Sequence, residues 1–271
     1  MDSMKDGFIN AQQFANIWNQ FDLNQSGFIE DHELDAFFYE LSKRILKKEP
    51  TKAEHADIKA SFMSAYNKDG DKRISMSELA KMLLPSDEVF LLLFRRKIPL
   101  DSSVTFMQIW RKYDKSCSGY LNVEELKDFI GDYVRVAGAT VTPDKLTEYS
   151  QSIMKLFDKN HDGQLDLYDM ARLINISENF LLQFNIEDSS QEERKRDFEK
   201  IFSYYDESRT GALEGAELDG FVKDLMESIK QVPITAQEVD GLRDQLLRHA
   251  DKNNDGKIQK SELAICLGIH V

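Results

Sequence analysis

Oxygen donors recur in this sequence at fixed places within twelve-residue segments that begin at Asp22, Asn67, Asp114, Asp158, Asp206 and Asp251. Four segments share one register. Position 1 is Asp, positions 3 and 5 are short and polar, position 6 is Gly, position 8 is apolar, position 9 is polar and position 12 is Glu. The first offers Asp22, Asn24, Ser26, the Phe28 carbonyl, Glu30 and Glu33. The third offers Asp114, Ser116, Ser118, the Tyr120 carbonyl, Asn122 and Glu125. The fifth offers Asp206, Ser208, Thr210, the Ala212 carbonyl, Glu214 and Glu217, and the sixth Asp251, Asn253, Asp255, the Lys257 carbonyl, Gln259 and Glu262. An all-oxygen set of roughly six to eight ligands is what Ca2+ requires. A Gly at position 6 permits the sharp bend that folds the donors around one point.

Two segments depart from the register. In the fourth, Asp158, Asn160, Asp162, the Gln164 carbonyl and Asp166 are in order, but position 12 is Asp169. Its shorter arm predicts weaker, one-oxygen coordination and competition from Mg2+, whose shell is smaller. In the second, Asn67, Asp69, Asp71, the Arg73 carbonyl, Ser75 and Glu78 fill the ligand places, while Lys72 replaces the glycine and Gly70 stands at position 4. A lysine in a left-handed bend costs about 1–2 kcal/mol, so this site is expected to be weak or inactive. Five Ca2+ sites are therefore expected, with four and six as the bounds.

The pattern is that of an EF-hand loop, which needs a helix on either side. Phe14, Ile17, Trp18 and Phe21 precede the first loop, and Leu34, Phe37, Phe38 and Leu41 follow it. The stripe recurs as Phe106, Ile109, Trp110 and Tyr113 before the third loop and as Phe198, Ile201, Phe202 and Tyr205 before the fifth. One apolar stripe per helix predicts an all-α fold. Because a single helix–loop–helix cannot bury its stripe, six units are expected to form three pairs, with short β contacts between paired loops at position 8. A longer repeat, Glu88 to Phe94 against Glu178 to Phe184, delimits the pairs as residues 1–95, 96–187 and 188–271, with a junction at Asp188–Gln191. The apolar part of each linker is expected to pack against the paired hands, docking on a groove or binding a membrane being the alternative.

Composition narrows the partners. Among 271 residues, 48 acidic against 35 basic side chains leave a formal charge of −13, which offers nucleic acid no positive footprint. Two basic clusters, Lys43–Arg44–Lys47–Lys48 and Arg95–Arg96–Lys97, read as solvated helix faces. Cys117 and Cys266 form no disulfide framework. No apolar run approaches a membrane span, and with no secretory h-region in the opening residues and Asp2 at the second position, neither a secretory signal nor N-myristoylation is expected. A cytoplasmic monomer is expected. His32, His55, His161, His249 and His270 lack the spacing of a metal or nucleophile site, and no Ser/His/Asp or Cys/His order occurs, so no enzyme is expected.

The six loops at these spacings, the Trp-bearing helix from Phe14 to Phe21, Asp35-Ala36-Phe37-Phe38 and the Phe90–Phe94 stretch resemble the calbindin–calretinin–secretagogin group, most of all its secretagogin branch. The likeness spans essentially the whole chain. It implies a cytoplasmic calcium sensor that changes shape on loading and engages proteins of vesicle fusion (the SNARE machinery) and trafficking, with association to secretory vesicle membranes. The complete first loop departs from the defective one of that branch. Without the resemblance, a sensor that opens an apolar groove and a buffer that opens little are equally compatible with these loops. Met63, Met82, Met107, Met154, Met170 and Met226 could line such a groove, although methionines at helical spacing are more often core.

Overall fold

The computed structural model describes residues 9–67, 69–94, 102–174, 176, 179–184, 190–230 and 232–269. The Arg95–Lys97 cluster, Glu178 and the Asp188–Ser189 part of the junction lie outside them. In chain order the elements are α1 (Ala11–Phe21), β1 (Phe28–Ile29), α2 (Asp31–Leu46), α3 (Lys52–Tyr66), β2 (Ile74–Ser75), α4 (Met76–Leu83) and a 3-10 helix at Val89–Phe94. Then come α5 (Ser103–Tyr113), α6 (Val123–Val136), α7 (Pro143–Phe157), α8 (Leu167–Ile174) and a second 3-10 helix at Phe180–Gln183. The last pair consists of α9 (Gln191–Tyr205), β3 (Ala212–Leu213), α10 (Ala216–Lys230), α11 (Ala236–Ala250), β4 (Ile258–Gln259) and α12 (Lys260–Cys266).

Among the described residues the elements form six helix–loop–helix units in an all-α fold, and the loops pair as three. Strands β1 and β2 run antiparallel with Ile29 opposite Ile74, and β3 and β4 do so with Leu213 opposite Ile258. Leu121 and Leu165 make the equivalent contact as an isolated bridge. Each of these position-8 side chains is fully buried, so the pairing also removes apolar surface from water.

Local signals start the helices. Asn10 with Gln13, Thr51 with Glu54, Ser190 with Glu193 and Thr235 with Glu238 close capping boxes, satisfying two otherwise orphaned donors at each N-terminus. Thr142 caps α7, whose first residue is Pro143, a place where the missing N–H costs nothing.

Two compact units are present. The first contains the described residues within Met1–Lys97 and Lys127–His161. Here Phe21 meets Phe37 edge-on with ring centres 5.4 Å apart, and α1 packs on α7, Asn19 donating to the Lys155 carbonyl at 2.7 Å. Phe90 of the 3-10 helix is fully buried between Phe14 and Tyr149, at 6.3 and 5.1 Å, so this linker packs on the hands as its composition suggests. The Tyr149 hydroxyl donates to the Glu88 carboxylate.

The second unit contains the described residues within Ile98–Leu126 and Asp162–Val271. Its main seam is α5 against α10. A Cβ on Gly220 would stand 2.8 Å from the Val104 backbone nitrogen, so the absence of a side chain is what lets the helices approach. Polar groups in this seam are matched. Asp224 accepts from Ser103 Oγ and the Tyr205 hydroxyl, each at 2.6 Å, and lies 3.4 Å from the Lys223 ammonium. Burial and the facing Asp224 carboxylate push the Tyr205 phenol up, so it remains a donor. Farther along, Arg111 of α5 bridges Asp219 at 2.8 Å and Asp240 at 2.5 Å. In the second linker Phe180 stacks on Tyr204, ring centres 3.8 Å apart, while Leu182 is exposed.

Candidate metal centres

Position 1 of each loop is the C-cap of its entering helix. The N–H groups of Asp22, Asn67, Asp114, Asp158, Asp206 and Asp251 donate to Trp18, Met63, Trp110, Met154, Phe202 and Leu247 respectively. The helix therefore sets the position-1 side chain at the mouth of the loop. In the four complete loops that carboxylate also accepts from the position-6 glycine: Asp22 from Gly27 at 3.3 Å, Asp114 from Gly119 at 3.0 Å, and Asp206 from Gly211 and Asp251 from Gly256 at 2.9 Å each.

Position 12 closes the loop from the other side. One oxygen of Glu33 accepts from Leu23 and Asn24, and the other from Glu30. Glu125 takes Ser116 and Asn122, Glu217 takes Ser208 and Glu214, and Glu262 takes Lys252 and Gln259. In the first and last of these loops the same glutamate completes the capping box of the exiting helix. One side chain thus starts a helix and ties the two ends of its loop together through its two oxygens.

The bends follow a rule finer than a glycine at position 6. That glycine has φ between 78° and 86° at Gly27, Gly119, Gly163, Gly211 and Gly256. Position 4 is also left-handed, occupied by Gln25, Cys117, His161, Arg209 and Asn254 with φ of 51–58°. The sequence signal for position 4 is faint, because Asn and Gly are its only favoured residues here. In the second loop Gly70 takes position 4 at φ 73° and Lys72 takes position 6 at φ 65°. Gly70 is therefore used rather than misplaced, and the strain sits on Lys72.

The donor sets differ in how they are satisfied. In the first loop Ser26 N–H turns to Asn24, and Asp22 Oδ1 is buried without a hydrogen-bond partner. Burial, reinforced by the Glu33 carboxylate, pushes the Asp22 carboxyl up from its ordinary value. A buried carboxylate oxygen left without a hydrogen-bond partner, in a loop of oxygen donors, fits a bound cation. In the second loop the amide nitrogen of Asn67 already fills that ring, 3.2 Å from Asp69 Oδ1, 2.8 Å from Asp71 Oδ1 and 2.6 Å from the Arg73 carbonyl. Three converging acceptors identify the inward atom as the nitrogen. Arg73 adds its guanidinium to Asp71 at 3.0 Å and lies over the Phe28 ring. In the fourth loop Asp162 accepts from the Gln164 N–H at 2.9 Å, Asp166 accepts from the Asp169 N–H at 2.8 Å, and Asp158 and Asp169 are buried.

Among the described residues no three His, Cys, Asp or Glu side chains converge on one point. Each loop instead combines carboxylate and carbonyl oxygens with hydroxyl or amide groups, the donor type that suits Ca2+ or Mg2+ rather than a softer metal.

Comparison with known proteins agrees with this chemistry. The EF-hand domain pair family matches residues 104–175, and the EF-hand family matches 19–38 and 242–267. Secretagogin of Danio rerio is 53% identical over 96% of both chains, and that of Homo sapiens is 51% identical over 100% of this chain and 99% of its own. The chain belongs to the secretagogin family. Calbindin-32 of Drosophila melanogaster, at 39% identity over 96% of this chain and 85% of its own, extends the likeness to the wider group. The family and its EF-hands make this a calcium-binding protein. Among the described residues no helix of this secretagogin-type chain is long and apolar enough to cross a membrane.

Met82, Met107, Met154, Met170 and Met226 are buried core, and Met63 is half-buried. In the first unit Ile17, Phe21, Phe37, Leu41, Ile45 and Leu83 line an apolar groove of about 230 Å³ with Glu40 and Arg44 beside them.

Proposed function

We propose that this protein is a cytoplasmic calcium sensor that loads five ions and then binds protein partners of vesicle fusion or trafficking, some of them at secretory vesicle membranes. The observation that carries the sensor reading is the apolar groove of the first hand pair, where Ile45 is exposed and Ile17 and Leu41 are half-buried beside the buried Phe21, Phe37 and Leu83. It joins α1, α2 and α4, the helices on either side of the first loop and after the second, so a change in their angle on loading changes its width. The five ions go to the first, third, fourth, fifth and sixth loops through the ligands named above. Mg2+ competes at the fourth, and the working modules are the hand pairs 1–95, 96–187 and 188–271.

The test is calorimetry with Ca2+, with and without Mg2+, beside a fluorescent reporter of apolar surface and pull-down of SNARE proteins. Calcium-dependent reporter signal and capture are expected. Neither changing would leave a buffer. One observation favours that second reading: the position-12 glutamates already hold their loops closed through backbone N–H groups, so loading can leave the helices where they are.

A further inference from the structure

Gln237 stands on α11, the entering helix of the sixth hand, yet its side-chain Nε2 donates to the carbonyl of Ser118 in the third loop at 2.8 Å. The peptide it grips is the one that matters there. The Ser118 carbonyl and the Gly119 N–H belong to one planar group, and that N–H donates to Asp114 Oδ2 at 3.0 Å. A donor on the carbonyl polarises the N–H at the other end of the same amide and strengthens its bond. Gln237 therefore reaches, through one peptide, the orientation of the position-1 carboxylate.

Among the described residues, only the third loop has a side chain lying against its position-6 glycine. A Cβ on Gly119 would stand 2.1 Å from Gln237 Nε2, whereas a Cβ on Gly27, Gly163, Gly211 or Gly256 would meet nothing within 4 Å. A side chain at position 119 would thus displace the Gln237 amide from the Ser118 carbonyl, while the φ of 82° already favours glycine there. The helix that carries Gln237 is tied to α5, because Asp240, one turn along α11, bonds Arg111 at 2.5 Å. The loop also gains most from such help. Only Asp114 and Glu125 among its ligands carry charge, so orientation has to supply what electrostatics does not.

We propose that Gln237 is a positioning residue for the third calcium loop, preorganising Asp114 through the Ser118–Gly119 peptide and tying that loop's affinity to the placement of the sixth hand. The proposal rests on the third loop binding calcium. The test uses the full 15N-labelled chain, following the Gly119, Gly211 and Gly256 amide signals through a Ca2+ titration. Gln237→Met keeps the length and removes the donor; Gln237→Ala removes both. In each, the Gly119 midpoint should move to about threefold higher Ca2+, the effect of one hydrogen bond, while Gly211 and Gly256 stay. A Gly119 midpoint unmoved in Gln237→Met overturns the proposal, and so does a common shift of all three signals. A Gly119 signal that ignores calcium in the unmodified chain would instead sink the calcium reading of the loop itself.

Discussion

Asn67 donates its side-chain amide to the Arg73 carbonyl at 2.6 Å, straight across the second loop. With Asp69 and Asp71 as further acceptors, the nitrogen stands where the other loops converge their oxygens. The second loop holds a folded, β-paired shape with a protein group at its centre.

Asn67→Asp should therefore turn this loop into a sixth site, since it replaces a donor with a carboxylate in a ring that is otherwise intact. Native mass spectrometry at saturating Ca2+ should count five ions for the parent chain and six for the variant. Adding Lys72→Gly should tighten the new site by relieving about 1 kcal/mol of left-handed strain. An unchanged count would mean that Arg73, not Asn67, blocks the loop.

The reverse change, Asp22→Asn, should make the first loop resemble the second. The amide can donate to Asn24, Ser26 or the Phe28 carbonyl, and the buried orphan oxygen is gone. Without calcium the variant should be more stable by about 1 kcal/mol, and with calcium it should bind one ion fewer. The pH dependence has a definite sign. Because the folded-state value of Asp22 is raised, its contribution to apo stability is full below the unfolded aspartate range. It is lost as pH rises through the folded value. Asp22→Asn should flatten that part of the apo stability–pH curve, and calcium should suppress it in the parent chain.

Asp169→Glu should raise the calcium affinity of the fourth loop, on the order of tenfold, and reduce Mg2+ competition there. The longer arm can offer two oxygens from the same helical position. Calorimetric titration with and without Mg2+ reads both effects, and an unchanged competition profile would show that the arm's length is not what admits Mg2+.

Glu262→Gln should abolish the sixth site and weaken the fifth by about fivefold, a common size for coupling between sites. The two loops share the Leu213–Ile258 pairing, a Lys260 N–H bond to the Gly211 carbonyl at 3.2 Å and a Lys257–Glu214 ion pair at 2.7 Å. The Gly211 amide signal reports the fifth site directly. Its midpoint staying put would show that the hands load independently.

Gly220→Ala should destabilise the fold by about 1–3 kcal/mol, because the new methyl must push α5 from α10. A lower denaturant midpoint with an unchanged slope is expected. Wild-type stability would mean that the seam can slide.

The loops were readable in the sequence because their chemistry repeats at fixed spacing, and the helices because each carries one apolar stripe. Position 4 was hidden, since Gln25, Cys117 and Arg209 adopt a left-handed bend that their side chains do not announce. The role of Asn67 needed the geometry of its three acceptors. Gln237 on Ser118, Arg111 on Asp240 and Lys159 on the Gln25 carbonyl join residues more than a hundred positions apart. No local pattern marks which polar side chain will be the one to reach across. Ile17 and Leu41 were legible as stripe members but not as groove, because a stripe says that a face is apolar and not what covers it.

The closeness of α5 to Gly220 bears on how this molecule can be divided. A fragment starting at residue 188 would keep both loops of the last pair yet leave Asp224 without Ser103, Asp219 without Arg111, and the α10 backbone bare where Val104 had lain. Cutting the chain there uncovers a sticky, charge-bearing trough. Self-association of such a fragment would report the loss of α5, and calcium constants measured on it would belong to a different protein surface.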